Sequence, residues 1–157
     1  TDTPIMTHTW APERIGEQQV AVFEDEGVDM NRVCIGHSND TTDLSYLIGL
    51  LERGVWLGMD RHGAAGLMGP TWEERAVVLK QLIDARWGHR IMLAHDWDNS
   101  VGLFSPEART ARDEGNPDGW LFITCNLLPR LKSLGATEDN IHNFTVDNPR
   151  RYFEGRE

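Results

Sequence analysis

Three short apolar runs in this sequence each end in a group that can bind a metal or move a proton. Pro4-Ile5-Met6-Thr7 ends in His8, Val33-Cys34-Ile35-Gly36 in His37, and Ile91-Met92-Leu93-Ala94 in His95-Asp96. A fourth run, residues 55–59, ends in Asp60-Arg61-His62-Gly63. Neutral imidazoles with a carboxylate suit zinc and similar divalent ions. A carboxylate at such a place can also accept and return a proton. Spacing alone leaves a plainer reading open, in which these side chains only cap and hydrogen-bond a strand rim.

Something must carry these groups to one edge. An apolar run that avoids water on both faces reads as a buried parallel strand, and α/β folds hold their chemistry at the carboxyl ends of such strands. The runs predict strands at 4–9, 33–36, 55–59 and 91–94. Helical spacing fills the intervals. Residues 16–26 carry Val20, Val22 and Phe23 and stop at Gly27; residues 43–53 carry Leu44, Leu47, Ile48 and Leu51 and stop at Gly54. Thr71-x-x-Glu74 is a capping box that opens a helix to about residue 86, with Val77, Val78, Leu82 and Ile83 turned inward. Residues 120–134 read as a helix re-angled near Pro129, residues 137–144 as a short helix, and Asn148-Pro149 as the start of a last helical turn. Residues 64–70 read as a Gly-rich loop and 96–119 as a long loop of the kind that usually carries function. Strands alternating with helices indicate an α/β fold with a parallel sheet, as one domain over residues 1–157.

The bulk numbers narrow the function. A chain of 157 residues with 39% apolar content can bury a core. A net charge of -10 argues against nucleic acid or an anionic membrane as partner. No run approaches the roughly 18 apolar residues of a membrane span, and no signal-peptide pattern opens the sequence. Cys34 in a strand and Cys125 in a helix read as buried free thiols, which suits a reducing compartment, so a cytoplasmic location is expected.

The residues also carry a resemblance. Met6-Thr7-His8-Thr9, Gly16-Glu17-Gln18-Gln19, Val33-Cys34-Ile35-Gly36-His37-Ser38, Asp43-Leu44-Ser45-Tyr46-Leu47, Gly58-Met59-Asp60-Arg61, His95-Asp96-Trp97, Asn116-Pro117-Asp118-Gly119 and Asn148-Pro149-Arg150 follow one another along essentially the whole chain. In that order they resemble the phosphotriesterase family, in the amidohydrolase superfamily of binuclear metal hydrolases. The resemblance implies the second half, strands five to eight, of a TIM (β/α)8 barrel. It implies two divalent metal ions, zinc first, with iron, cobalt or manganese as alternatives. His8 and His37 match the histidines that bind one ion. Asp96 matches the aspartate that binds the other and handles the proton of the bridging hydroxide. The family's His-x-His pair and bridging lysine have no match here, so the resemblance implies an N-terminal barrel half as partner, on the same or a separate polypeptide, and a homodimer when complete. His89 and His95 match no ligand position, and the two-residue period of a strand turns His95 away from the side of Asp96.

One departure bears on substrate. Where phosphotriesterases proper have a relay histidine between the positions of Asp96 and Asp40, this sequence has Arg61. An arginine keeps its proton near neutral pH and cannot relay one. Gly58-Met59-Asp60-Arg61 is similar to the phosphotriesterase-like lactonases, which implies hydrolysis of lactones such as acyl-homoserine lactones, with phosphotriesters as side substrates. On that reading Asp60 and Arg61 shape the pocket. Trp97 and the following loop, with Val101, Leu103 and Phe104, line the leaving-group side, and Trp10 is a weaker candidate. A structural ion pair of Arg61 with Asp60 or Asp40, and a packing role for Trp97, remain the plain alternatives. An aryldialkylphosphatase proper and a catalytically idle half-barrel module stand beside the lactonase. Four strands cannot close an eight-stranded barrel, so this chain alone is expected to bind metal weakly and to have little activity.

Overall fold

The computed structural model describes residues 3–63, 69–97 and 105–155. Strands β1 (Ile5–Thr7), β2 (Val33–Ile35), β3 (Trp56–Met59) and β4 (Ile91–Leu93) form one parallel sheet in the order β1-β2-β3-β4. Helices α1 (Ile15–Asp25), α2 (Leu44–Glu52) and α3 (Trp72–Asp84) connect them. Helices α4 (Pro106–Gly115), α5 (Leu128–Ser133), α6 (Glu138–His142) and α7 (Asn148–Glu154) follow β4. Thr7 pairs with Ile35 and Met59 with Leu93, so the strands end nearly level and their next residues share a rim.

The two faces of the sheet are covered differently. Val33, Ile35, Leu57 and Ile91 point into the main core with Val20, Leu47, Leu50, Leu79 and Leu82 of the helices. Cys34, Trp56 and Met92 occupy the alternate positions, as the two-residue period requires, and pack against Tyr152 of α7. Met6 pairs with Cys34 and so shares this second face, yet it is 55% exposed. Among the described residues β1 and β4 each pair on one side only. No helix among them is long and apolar enough to cross a membrane.

The structure corrects several expectations. Residues 96–119 are not loop throughout, since α4 occupies Pro106–Gly115. Ser105 Oγ accepts from Ala108 N–H at 3.2 Å and Pro106 opens the helix, but no α4 residue is buried, so no apolar stripe marks it. Val22 and Val77, read as inward, are 60% and 40% exposed. Cys125 is exposed: Ile123 and Leu127, four apart, take the buried face of that turn. The bend foreseen near Pro129 takes the form of a wide π turn over Ile123–Leu127, and a second π turn, Asn143–Asp147, precedes Pro149. A proline lacks the N–H and presses on the carbonyl four residues back, and a wider turn relieves both problems.

Candidate functional site

His8 and His37, which follow neighbouring strands, meet at the rim with ring centroids 4.3 Å apart and planes at 85°. Each is held by a different device. The His8 carbonyl accepts from Gln19 Nε2 at 3.0 Å, and Gln19 Oε1 accepts from the Thr9 hydroxyl at 2.7 Å. Gln19 of α1 thus ties the end of β1 to the helix that follows it. His37 turns the chain sharply, with φ at 56°, in the left-handed region that non-glycine residues seldom occupy. Its N–H donates to Asp60 Oδ1 at 2.9 Å, and its Nδ1 lies 2.9 Å from the same oxygen. An ionised Asp60 puts the ring hydrogen on Nδ1 and leaves the Nε2 lone pair for a metal, the usual carboxylate–histidine support of a ligand.

Two glycines make room for that support. A Cβ on Gly58 would lie 2.9 Å from Asp60 Oδ2, and one on Gly36 would lie 2.1 Å from the Thr7 carbonyl oxygen. Gly36→Ala is therefore expected to force β1 from β2 beneath both histidines. Urea unfolding should report a loss of about 1–3 kcal/mol, the range for overpacking a tight contact; unchanged stability would show that the strands can part freely there.

Asp96 also has a left-handed backbone, with φ at 47°, and its side chain is 44% exposed. Its Oδ2 accepts from Arg61 Nε at 2.9 Å. The Arg61 Nη1 in turn donates to Asp40 Oδ2, and Asp40 Oδ1 accepts from Arg75 Nη2 at 3.1 Å. The Asp40 and Arg75 side chains are fully buried. Burial pushes Asp40 above the ordinary carboxylate range, while Arg61 and Arg75 pull it back. Burial also works against the charge on Arg61, but its bonds to Asp96 and Asp40 more than offset this and raise its pKa. Arg61 is thus a fixed cation between two carboxylates.

The structure sorts the predicted residues into two groups. His8, His37 and Asp60 form one; Asp40, Arg61 and Asp96 form the other. Asp96 does not join the histidines, and among the described residues no three of His, Cys, Asp or Glu could together hold a metal ion. The two imidazoles fit part of a metal's donor set. Arg61 makes the ion pair with Asp40 that stood as its plain alternative, and one with Asp96 besides. Asp60, expected in a pocket wall, spends its carboxylate on His37 and its side chain is 14% exposed. Trp97 is buried, with the Arg112 guanidinium 4.1 Å above its ring, which gives it a packing role. Val101, Leu103 and Phe104 lie outside the described residues. Trp10 is 38% exposed. His95 Nε2 accepts from Ile123 N–H at 3.2 Å, while Asp96 bonds Arg61. That acceptor role requires a neutral ring, and burial lowers its pKa accordingly. His89 bonds the Arg86 carbonyl at 3.0 Å.

Sequence reasoning missed Arg75 and His62. Arg75 shares the spacing i, i+3, i+4, i+7 with the buried Val78, Leu79 and Leu82. A charge in the first place of an apolar stripe was the available signal. His62 is 1% exposed, and neither ring nitrogen has a hydrogen-bond partner.

Parallel strands taken in sequence order, joined by helices and delivering polar groups to one rim, form part of a TIM-type barrel. The chain belongs to the phosphotriesterase family, whose model matches residues 1–153. It is 36% identical over 155 residues to a phosphotriesterase homology protein of Mycobacterium tuberculosis, covering 98% of this chain and 46% of that protein. An aryldialkylphosphatase of Saccharolobus solfataricus is 29% identical over 158 residues, covering 98% of this chain and 48% of the relative. The solved structure of the phosphotriesterase from Mycobacterium tuberculosis superposes with a TM-score of 0.88 at 36% identity, over 96% of this chain and 45% of that one. The chain spans about half the length of these relatives. The family is one of hydrolases.

Proposed function

We propose that this chain forms one side of a metal-dependent lactonase site that also hydrolyses phosphotriesters slowly. The carrying observation is Arg61 bonded to both Asp40 and Asp96. Those carboxylates are the two ends of the relay that phosphotriesterases proper run through a histidine, and a permanently charged arginine between them cannot pass a proton on. The site is then suited to a substrate whose leaving oxygen stays tethered nearby, as in a lactone ring, and takes its proton back from Asp96. His8 and His37 Nε2 would hold one divalent ion, Asp96 would contribute to a second, and the first barrel half would supply the remaining ligands. Bound there, the ions would supply an acidified water and polarise the substrate oxygen. Arg61 holds Asp96 through Oδ2, which supports Oδ1 as the oxygen that would take and return the proton.

The test uses the assembled protein with both barrel halves. Metal content is measured, and an acyl-homoserine lactone and an aryl phosphotriester are assayed side by side. We expect stoichiometric metal, a preference for the lactone in kcat/KM, and a loss of about 10²-fold or more in kcat for Asp96→Asn. A preference for the phosphotriester would favour the aryldialkylphosphatase. An intact assembly without metal would favour the idle module.

A further inference from the structure

Among the described residues Arg75 is one of the largest fully buried side chains, and its bonds run to residues of the rim. It leaves the first turn of α3 and reaches two separate strand ends. Its Nε donates to the Asn39 carbonyl at 2.9 Å and its Nη2 to Asp40 Oδ1 at 3.1 Å, both in the turn after His37. Its Nη1 donates to the Arg61 carbonyl, just past Asp60. One planar fork therefore sets the distance between the end of β2 and the end of β3.

Packing alone gives no reason for an arginine here. Moving a cation out of water costs several kcal/mol, and buried ion pairs can often be replaced by apolar groups without loss. What the fork provides is direction. A guanidinium offers its donors in a fixed plane, which a lysine cannot copy. Arg61 is the group that depends on it. Its carbonyl is held by Arg75, its N–H bonds Asn39 Oδ1 at 3.2 Å, and its acceptor Asp40 is held by Arg75 on the other oxygen.

We propose that Arg75 is a positioning residue, which fixes Asp40 and the backbone of Arg61 so that the Arg61 guanidinium meets Asp96 in a single orientation. Its effect on turnover rests on the lactonase reading; its effect on Arg61 does not. The experiment follows the arginine Nε–H signals of the assembled protein by ¹⁵N-edited NMR. The Arg61 signal, identified by its loss in Arg61→Lys, should stand apart from those of exposed arginines and exchange slowly with solvent. Arg75→Met keeps the volume without charge, and Arg75→Lys keeps the charge without the fork. In both, the Arg61 signal should broaden into the exposed pool, and kcat should fall about tenfold or more with KM little changed. An unchanged Arg61 signal in folded Arg75→Met overturns the proposal. Should that variant fail to fold, Arg75→Lys decides: full recovery of the signal by lysine also overturns it. A protein that shows the expected NMR pattern but no hydrolysis sinks the lactonase reading and leaves the positioning role standing.

Discussion

Asp40→Ala should be among the most damaging single changes at the rim, with a loss of roughly 3–5 kcal/mol in unfolding free energy. The Asp40 carboxylate is fully buried and carries two guanidiniums, one on each oxygen. Removing it leaves Arg61 and Arg75 near each other without the charge that separates them. Arg75 has no exposure with which to recover hydration, and Arg61 has little. A lost partner of a buried charge costs far more than the pair itself contributes, because the remaining charge keeps its desolvation penalty. The double variant Asp40→Ala with Arg75→Met should therefore recover part of the loss. Urea unfolding of the wild type, both single variants and the double variant measures this coupling. Single losses below about 1 kcal/mol, or losses that simply add, would show that water reaches the site and screens it.

The sheet was legible in the sequence because it obeys simple rules. Apolar runs marked the strands, although β1 leaves Met6 exposed on one face, and capping residues such as Thr71 with Glu74 marked the helix starts. The left-over errors have a common physical source. Periodicity reports which side chains are buried, so it is silent on α4, whose start is marked only by Ser105 and Pro106. It also overreached at Val22 and Val77, which sit beside an apolar stripe without belonging to it. At the site, residue types at strand ends pointed to the histidines, and the structure brings His8 and His37 together. Type and position could not show who bonds whom. Asp60 follows β3 much as His37 follows β2, and either could have faced a pocket. The space above Gly36 and Gly58 lets its carboxylate reach back to His37 instead. Arg61 could be read as a lost proton carrier from chemistry alone. Its bridging of Asp40 and Asp96 depends on Arg75, four helical residues past a capping threonine, which no local pattern joins to the rim.

Acid should destabilise this fold through His62, and His62→Leu should remove that sensitivity. His62 is buried with both ring nitrogens unpaired. Burial, then the charge of Arg75 and the neighbouring His95, pushes its pKa from 6.5 down to about 3. The folded protein therefore keeps the ring neutral, while the unfolded chain protonates it below about 6.5. The unfolded state binds the extra proton, so this contribution to stability is complete above pH 6.5 and is lost as the pH falls towards about 3. At about 1.4 kcal/mol for each unit, the whole effect is on the order of 4–5 kcal/mol. Nearly half of that range is crossed by about pH 5; half-buried His95 is also lowered and buried Asp40 raised, so the difference between the wild type and His62→Leu, rather than the wild-type slope itself, isolates the His62 share. Leucine has nearly the same volume and no polar atom to strand, so at pH 7 His62→Leu should be neutral or stabilising by about 1–2 kcal/mol. Between pH 6.5 and 5 its stability should fall less steeply than that of the wild type, by up to about 1.4 kcal/mol per pH unit. His62→Gln supplies the contrast, since it keeps unpaired polar atoms but cannot titrate: it should lose stability at pH 7 and still lose the acid slope. Parallel pH curves for the wild type and both variants would mean that His62 finds a proton acceptor or water in the folded state.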